Sequence, residues 1–346
     1  MKYETPRLES KTTALGLAAA VAAGALWASA AQGQQTITFG HVISTNDTQN
    51  EAYEWFAETV EERSDGRLNV EVYPDSQLGG ERELIESVQA GEIQMTAPSV
   101  GVLSNFSDSL KVFDFPYIFE DKETAHQVLD GEIGQELLAR LEDSDLVGLA
   151  WGENGFRNLA MAGDTIRTPS DLSGQSIRTM EVPLHIEYWD TVGASPTPLP
   201  FPEVFTSLQQ GVVEGVENPY ELLHSARFTE PADHLTETRH IYDPEVLLIS
   251  EAFYDGLSDE DQEILRSTAV DAAERIRTAK TELGDEVISE IEEAGGTVTQ
   301  LTDSERQEWK EAAIPIYEEN ADSVDTEMLR AILEAAENEM YLKAIQ

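Results

Sequence analysis

The chain has 346 residues, 67 acidic against 22 basic, for a formal net charge of -45, with no cysteine and 40% hydrophobic residues. That length allows about two domains at ~150 residues each, and the hydrophobic fraction supports packed cores rather than wholesale disorder. The charge excludes a nucleic-acid partner and a polybasic membrane-surface module, since both need clustered Lys and Arg, and the missing cysteine excludes thiolate metal sites, thiol catalysis and disulfides. Arg outnumbers Lys by 15 to 7. An acidic, Lys-poor surface suits a saline exterior, where at ~1 M salt a Debye length of ~3 Å screens the self-repulsion.

The chain opens with Lys2, Arg7 and Lys11, followed by an uncharged apolar run over residues 14–30. Ala28-Ser29-Ala30 offers an A-x-A cleavage site, with Ala31-Gln32-Gly33 as a second, so residues 1–33 read as a secretory signal peptide. An uncleaved anchor is the alternative, but the run is slightly short for a ~20-residue span. The remainder is expected to be exported and soluble. Residues 36–42 alternate polar and apolar, a strand signature. Asp47 caps a helix to about Ser64, with Phe56 and Val60 on one face. Leu68–Tyr73 is a second strand, Glu81–Ala90 a helix stopped at Gly91, and Met95–Ser99 a short third strand. Strand–helix–strand–helix–strand begins an α/β domain with a mainly parallel sheet. A helix-rich stretch lies between residues 121 and 142, and Val147–Trp151 reads as a strand.

A second α/β pattern follows. It has a short strand at Ser176–Met180, a helix from about Leu184 to Val192, and an extended segment, 194–202, with four prolines. A helix over Glu203–Gln210 comes next, then a strand that begins at Val212 and Val213 and closes over 215–219. Ser258 and Asp261 make a capping-box-like start, and apolar residues recur from Leu265 to Ile291 at three- and four-residue steps until Gly295-Gly296. That is one helix of about 35 residues, ~50 Å at ~1.5 Å per residue. It is too long for one compact domain of this size; a coiled coil is the alternative to a helix lying across both domains. Two α/β domains without a floppy linker point to a rigid pair with a cleft between them.

Enzyme templates fail along the chain. No histidine pair has H-E-x-x-H spacing, there is no G-x-S-x-G elbow, no G-x-G and no Gly-Lys pair. A spatially assembled site leaves no such trace, so an enzyme stays open as an alternative. The informative feature is a local exception to the charge. Residues 146–186 carry Arg157, Arg167 and Arg178 against Glu153, Asp164, Asp171 and Glu181, a net of -1, and residues 191–202 carry no charge. A protein this negative repels an anion unless positive groups are placed locally. Arginine suits that task because its planar fork binds a carboxylate through two parallel hydrogen bonds.

The segment GENGFRNLAM, then DLSGQSIRTMEVPL, then GASPTPLPFPEVFTSLQQGVVEGVENP resembles the substrate-binding subunits of TRAP (tripartite ATP-independent periplasmic) transporters. The likeness extends to FGHVISTNDTQNEAYEWFAETVEERSDGRLNVEVYPDSQLGGERELIESVQAGEIQM, to FPYIF around Phe115, and to GLSDEDQEIL at the start of the long helix. It implies a two-domain periplasmic-binding-protein fold with an interdomain ligand cleft, spanned by one long helix. On that reading domain I is 34–154 with about 244–284, and domain II is 155–243 with about 285–346. It implies a periplasmic, monomeric protein without cofactor or metal, which captures a small carboxylate ligand and docks on the small and large membrane permease subunits, uptake being driven by a sodium gradient.

The resemblance also implies the site. The family arginine that pairs with the ligand carboxylate falls on Arg178, with Ser176 in place of the family lysine. The arginine of the N-G-x-R motif falls on Arg157. The asparagine of the Q-E-N-P motif falls on Asn218, with Val216 in place of glutamine. The aromatic that covers the ligand falls on Phe201. The residue approaching the other end of the ligand falls on Glu81, where Gly79-Gly80 could shift the turn, and Ser99 falls where some members of the family have a ligand-contacting polar residue. Asn218 and Glu81 tilt the reading toward a hydroxylated acid. Dicarboxylates, uronates, sialic acid-like acids and ectoine-like solutes are all family ligands, and the sequence does not choose among them.

Overall fold

The computed structural model describes residues 1, 2 and 34–346, with only the backbone of Asp285. The expected signal peptide falls almost wholly on residues 3–33, outside the described residues. β1 (Gln35–Gly40) alternates as read, with Ile37 and Phe39 fully buried. The helix Thr48–Arg63 starts where Asp47 accepts the Gln49 N–H at 2.9 Å, occupying an N–H that the first helical turn leaves free. β2 (Leu68–Tyr73) and β3 (Met95–Thr96) flank β1 on either side, both parallel to it.

Two long strands dominate the molecule. β4 (Leu146–Met161) has 16 residues, all buried, and β8 (His234–Ser250) has 17. They pair antiparallel from Leu146–Ser250 to Met161–His234, with register shifts between Gly148 and Ala150, Glu153 and Gly155, and Arg157 and Leu159. Between them in sequence lie β5 (Ser176–Thr179), β6 (Ser195–Pro198) and β7 (Gly215–Asn218), and β9 (Thr297–Thr299) follows the long helix. The sheet order is β2-β1-β3-β8-β4-β7-β5-β6, with β9 on β8. β3 pairs with the C-terminal end of β8, whereas β7 and β9 meet the C-terminal end of β4 and the N-terminal end of β8. The crossing strands thus carry one α/β half at each end, and the molecule has the two-domain periplasmic-binding fold.

The expected strand over Val147–Trp151 is therefore one third of a longer one. Glu153, Asn154, Arg157 and Asn158 are buried in its middle, so hydrophobic alternation stops marking the strand although the backbone continues. Gly155 takes φ +111 at one register shift, and a Cβ at Gly152 would overlap the Glu245 carboxylate. Opposite them Pro244 faces Glu153 and offers no N–H to the ladder. The strand expected to begin at Val212 begins instead at Gly215. Gly211, at φ +68, ends the preceding helix, and the Val212 N–H bonds back to the Ser207 carbonyl at 2.9 Å, leaving its side chain exposed.

The long helix runs from Asp259 to Glu293, 35 residues, with Ser258 accepting the Asp261 N–H. Leu265, Ala269, Ala272 and Ile276 pack in the core with Ile37, Phe39, Phe56 and Val60. Val287 and Ile291, three turns further on, pack with Val204, Val216 and Leu235 in the other half. One helix thus buries successive parts of the same stripe in two cores, as its period required. The segment after Thr302 forms further helices whose Trp309, Tyr317 and Tyr341 bury against Phe115 and Trp189.

Candidate functional site

A small cavity lies between the halves, beside the strand crossing, and all six sequence candidates line it: Glu81, Ser99, Arg157, Arg178, Phe201 and Asn218. Asn154 and Asp243 from the crossing strands complete its polar wall, and Val42, Ile43, Met180 and Leu222 supply apolar surface.

Arg178 sits on β5 and is 2% exposed. Its Nε and Nη2 both donate to the Leu199 carbonyl, at 2.9 and 2.6 Å. That carbonyl belongs to the proline-rich segment, whose β6 pairs with β5. One edge of the guanidinium is thereby fixed. Its Nη1 is buried with no hydrogen-bond partner among the described residues. Burial, then repulsion from Arg157, pushes its pKa down to about 10. The charge is held in place and left uncompensated at the cavity. Asn218, at the end of β7, also presents a buried Nδ2 without a partner. An unpaired buried donor costs about 1–3 kcal/mol, so both atoms call for an acceptor in the cavity.

Arg157 is occupied differently. Its Nε and Nη2 form a two-point contact with the Glu217 carboxylate, at 2.5 and 2.8 Å, Nη2 also donates to the Glu217 carbonyl at 2.7 Å, and Nη1 meets Asp243 at 2.6 Å. Burial alone would lower its pKa, but Glu217 and Asp243 more than offset that and raise it. Burial likewise works against the charged Glu217, yet Arg157 and the His240 imidazole, 3.0 Å away, hold its carboxyl well below the usual range. Arg157 therefore supports the wall more than it offers free donors.

Ser99 joins two acids. Its N–H donates to Glu81 Oε1 at 2.7 Å and its Oγ to Asp243 Oδ1 at 2.6 Å. Glu81 is the first residue of the helix Glu81–Gln89; the residue keeps some exposure, but its carboxyl group is enclosed. Burial raises its pKa to about 7, opposed by the Ser99 N–H and reinforced by Asp243. Burial also raises Asp243, against the pull of Arg157. Asn154 Oδ1 accepts from Gln49 Nε2 at 3.1 Å, which ties the crossing to the helix Thr48–Arg63. Phe201 is half-buried, stacks at a tilt on Phe228 with ring centres 5.3 Å apart, and contacts the cores of both halves.

Sequence reasoning missed Asp243, Asn154 and Glu217. The signal for the first was an Asp-Pro-Glu triplet inside the apolar run IYDPEVLLIS, where buried acids imply partners. The lining side chains include no histidine. Among the described residues no His/Cys/Asp/Glu group could hold a metal ion. The chemistry on offer is recognition: one anchored cation with a free donor, an amide donor, and acidic acceptors across the cavity. Arg178, Asp243 and Ser99 are each at most 3% exposed, so solvent scarcely reaches them in this arrangement of the halves.

Residues 39–323 match the bacterial extracellular solute-binding proteins, family 7 (DctP). The chain is 34% identical to the 2,3-diketo-L-gulonate-binding periplasmic protein YiaO of Escherichia coli, over 88% of this chain and 92% of that one. It is 32% identical to the C4-dicarboxylate-binding periplasmic protein DctP of Rhodobacter capsulatus, over 86% and 89%. Among solved structures, the sugar acid binding protein DctPAm of Advenella mimigardefordensis, in complex with galactonate, superposes with a TM-score of 0.86 at 30% identity, covering 90% of this chain and 99% of that one. A TRAP periplasmic solute binding protein from Polaromonas, bound to D-erythronate, gives 0.84 at 35% identity, covering 87% and 98%. The chain belongs to the family 7 extracellular solute-binding proteins, the solute-binding subunits of TRAP transporters.

Proposed function

We propose that this protein captures a small organic acid, a sugar acid or a dicarboxylate, in the cavity between its halves, and delivers it in the periplasm to the small and large permease subunits of a TRAP transporter. The observation that carries the reading is Arg178, with one edge anchored on Leu199 and Nη1 left unpaired in the cavity, beside the unpaired Nδ2 of Asn218. In this reading Arg178 clamps the ligand carboxylate, Arg157 holds the wall, Asn218 and Glu81 meet hydroxyls or a second polar group, Ser99 orders the acidic side, and Phe201 excludes water. The moving parts are 34–154 with about 244–284, and 155–243 with about 285–346, flexing where Gly152 and Gly155 face Asp243-Pro244-Glu245. The protein acts as a monomer and returns its ligand unchanged.

A thermal-shift screen of galactonate, erythronate, succinate, uronates and other organic acids tests the reading, since any binder raises the melting temperature by mass action. Binding of an acid that Arg178→Ala abolishes supports it. Absence of any acid binder refutes it, and mass-spectrometric detection of a product after long incubation would replace binding by catalysis.

A further inference from the structure

The cluster around the cavity does not balance its own charge. Two guanidinium groups, Arg157 and Arg178, and two carboxyl groups, Glu81 and Asp243, line the cavity, and a third carboxyl, Glu217, stands behind the wall on Arg157. Glu217 and Asp243 are both in direct contact with Arg157. Glu81 is placed otherwise. Its contact is the Ser99 N–H, and among the described residues no guanidinium lies within ion-pair distance of it. The other groups around it do not change this. Arg82 on its own helix is directed to Glu181, at 4.0 Å, Glu83 adds a further acid, and Pro200 and Pro202, which close over Gly80, are uncharged. If all are ionised, the four lining groups cancel and Glu217 brings the cluster to -1, so an incoming carboxylate adds a negative charge that no lining cation is left to balance.

We infer that the cavity takes up its carboxylate ligand together with one proton, and that Glu81 carries it. Glu81 is the acid whose neutralisation breaks no ion pair, whereas a proton on Glu217 or Asp243 would undo a contact with Arg157. The protonated carboxyl also gives the acidic wall an O–H donor, where the carboxylates offer acceptors alone. The tendency exists before the ligand arrives, because burial and the neighbouring Asp243 already push Glu81 up to about 7. Arg178 and, more weakly, Arg157 oppose that rise, and an anion bound at Arg178 weakens the larger of these two influences and pushes Glu81 further. Capture is thereby linked to pH with a definite sign. Below pH 7 Glu81 is already neutral and affinity is flat. Above pH 7 the ligand must draw a proton from solvent, and affinity falls toward tenfold per pH unit.

The inference rests on the organic-acid reading, and the test separates the two. Isothermal titration of the wild-type protein with galactonate, or with whichever screened acid binds more tightly, is run at pH 6 and pH 8 in two buffers of different ionisation enthalpy. The expected result is close to one proton taken up per ligand at pH 8 and almost none at pH 6. In Glu81→Gln the uptake disappears and the affinity becomes independent of pH between 6 and 8, whatever its absolute value. Should that variant bind too weakly to titrate, the infrared band of a protonated carboxylic acid must grow in the wild-type protein when the acid is added at pH 8. Binding without proton uptake at pH 8 overturns this inference and leaves the organic-acid reading standing. Uptake that persists in Glu81→Gln also overturns it, moving the proton to Asp243. No binding of any acid at either pH refutes both.

Discussion

Replacing Arg178 by alanine separates binding from stability, because the structure gives this side chain an unequal role in the two. In the unliganded protein its guanidinium rests on one carbonyl, Leu199, and is repelled by Arg157. Its pKa is lowered from 12.5 to about 10 by burial and that repulsion, which at ~1.4 kcal/mol per unit is a penalty of roughly 3 kcal/mol on the charged fold at pH 7. The sign follows directly: a base whose folded pKa is depressed destabilises the fold wherever it is charged in both states. Its removal should therefore leave the unliganded melting temperature unchanged or raise it. For the ligand the balance reverses. Losing Arg178 deprives a buried carboxylate of its cation, a loss of about 3–5 kcal/mol, or two to three orders of magnitude in affinity. Arg178→Lys keeps a charge but cannot hold Leu199 through two nitrogens while presenting a third, so it should fall between the two. Titration calorimetry and differential scanning calorimetry on the same preparations measure both effects. An alanine variant that binds as tightly as the parent refutes the clamp. One that melts far below the parent without ligand refutes the claim that Arg178 is held against its electrostatic preference.

Arg157→Ala should behave in the opposite way. It leaves Glu217 and Asp243 buried without their cation, and the unliganded fold should lose about 3–5 kcal/mol, read as a large fall in melting temperature that Arg157→Lys restores only in part. Glu245, buried against Tyr53 at 2.7 Å and Gln49, has its carboxyl raised to about 8 by burial. An acid with a raised folded pKa contributes its full stability below its unfolded value and loses it as pH rises through about 8, so Glu245→Gln should flatten the stability profile between pH 5 and 9 and melt higher than the parent at pH 9. Gly152→Ala places a methyl group into the Glu245 carboxylate; overpacking of this kind costs about 1–3 kcal/mol, measurable by urea denaturation, and an unchanged midpoint would mean that the crossing yields more easily than its packing indicates.

Local patterns carried most of the fold into the sequence. The helix boundaries at Asp47 and Ser258 were legible because a capping side chain is a local event, and the long helix because its apolar stripe repeats over about seven turns. The crossing strands were not. β4 and β8 owe their length to each other, and their central residues are buried polar groups whose partners are distant in sequence: Arg157 meets Asp243 across the pair, Glu153 meets Lys122 and His126, and Glu245 meets Tyr53 and Gln49. A periodicity that counts apolar residues has nothing to count there. The same distinction divides the site. Arg178, Asn218 and Phe201 stood in motifs and were found by likeness, and the cavity brings them together with Arg157, Glu81 and Ser99. Asp243 stands in no such motif, Asn154 opens the N-G-x-R motif whose arginine alone drew notice, and the importance of both lies in partners far away in sequence: 86 residues separate Arg157 from Asp243, and 105 separate Gln49 from Asn154.

The formal charge of -45 is compatible with an anion site for a reason that concerns place rather than amount. Carboxylates on the surface are solvated and screened, with a Debye length of ~8 Å at 0.15 M salt, and their influence fades over the distance to an enclosed cavity. What an entering carboxylate meets is the handful of groups that water does not reach. There each buried acid of the crossing strands is already engaged, Asp243 by Arg157, Glu245 by Tyr53 and Gln49, and Glu153 by Lys122 and His126, and so is Glu217 on β7, by Arg157. Arg178 is the guanidinium in the wall whose charge no contacting carboxylate balances, and its free Nη1 is where an anion gains most. If the cleft selects acids as proposed, that selectivity depends on keeping one cation unpaired, and the Leu199 carbonyl makes this possible because it fixes the guanidinium without neutralising it.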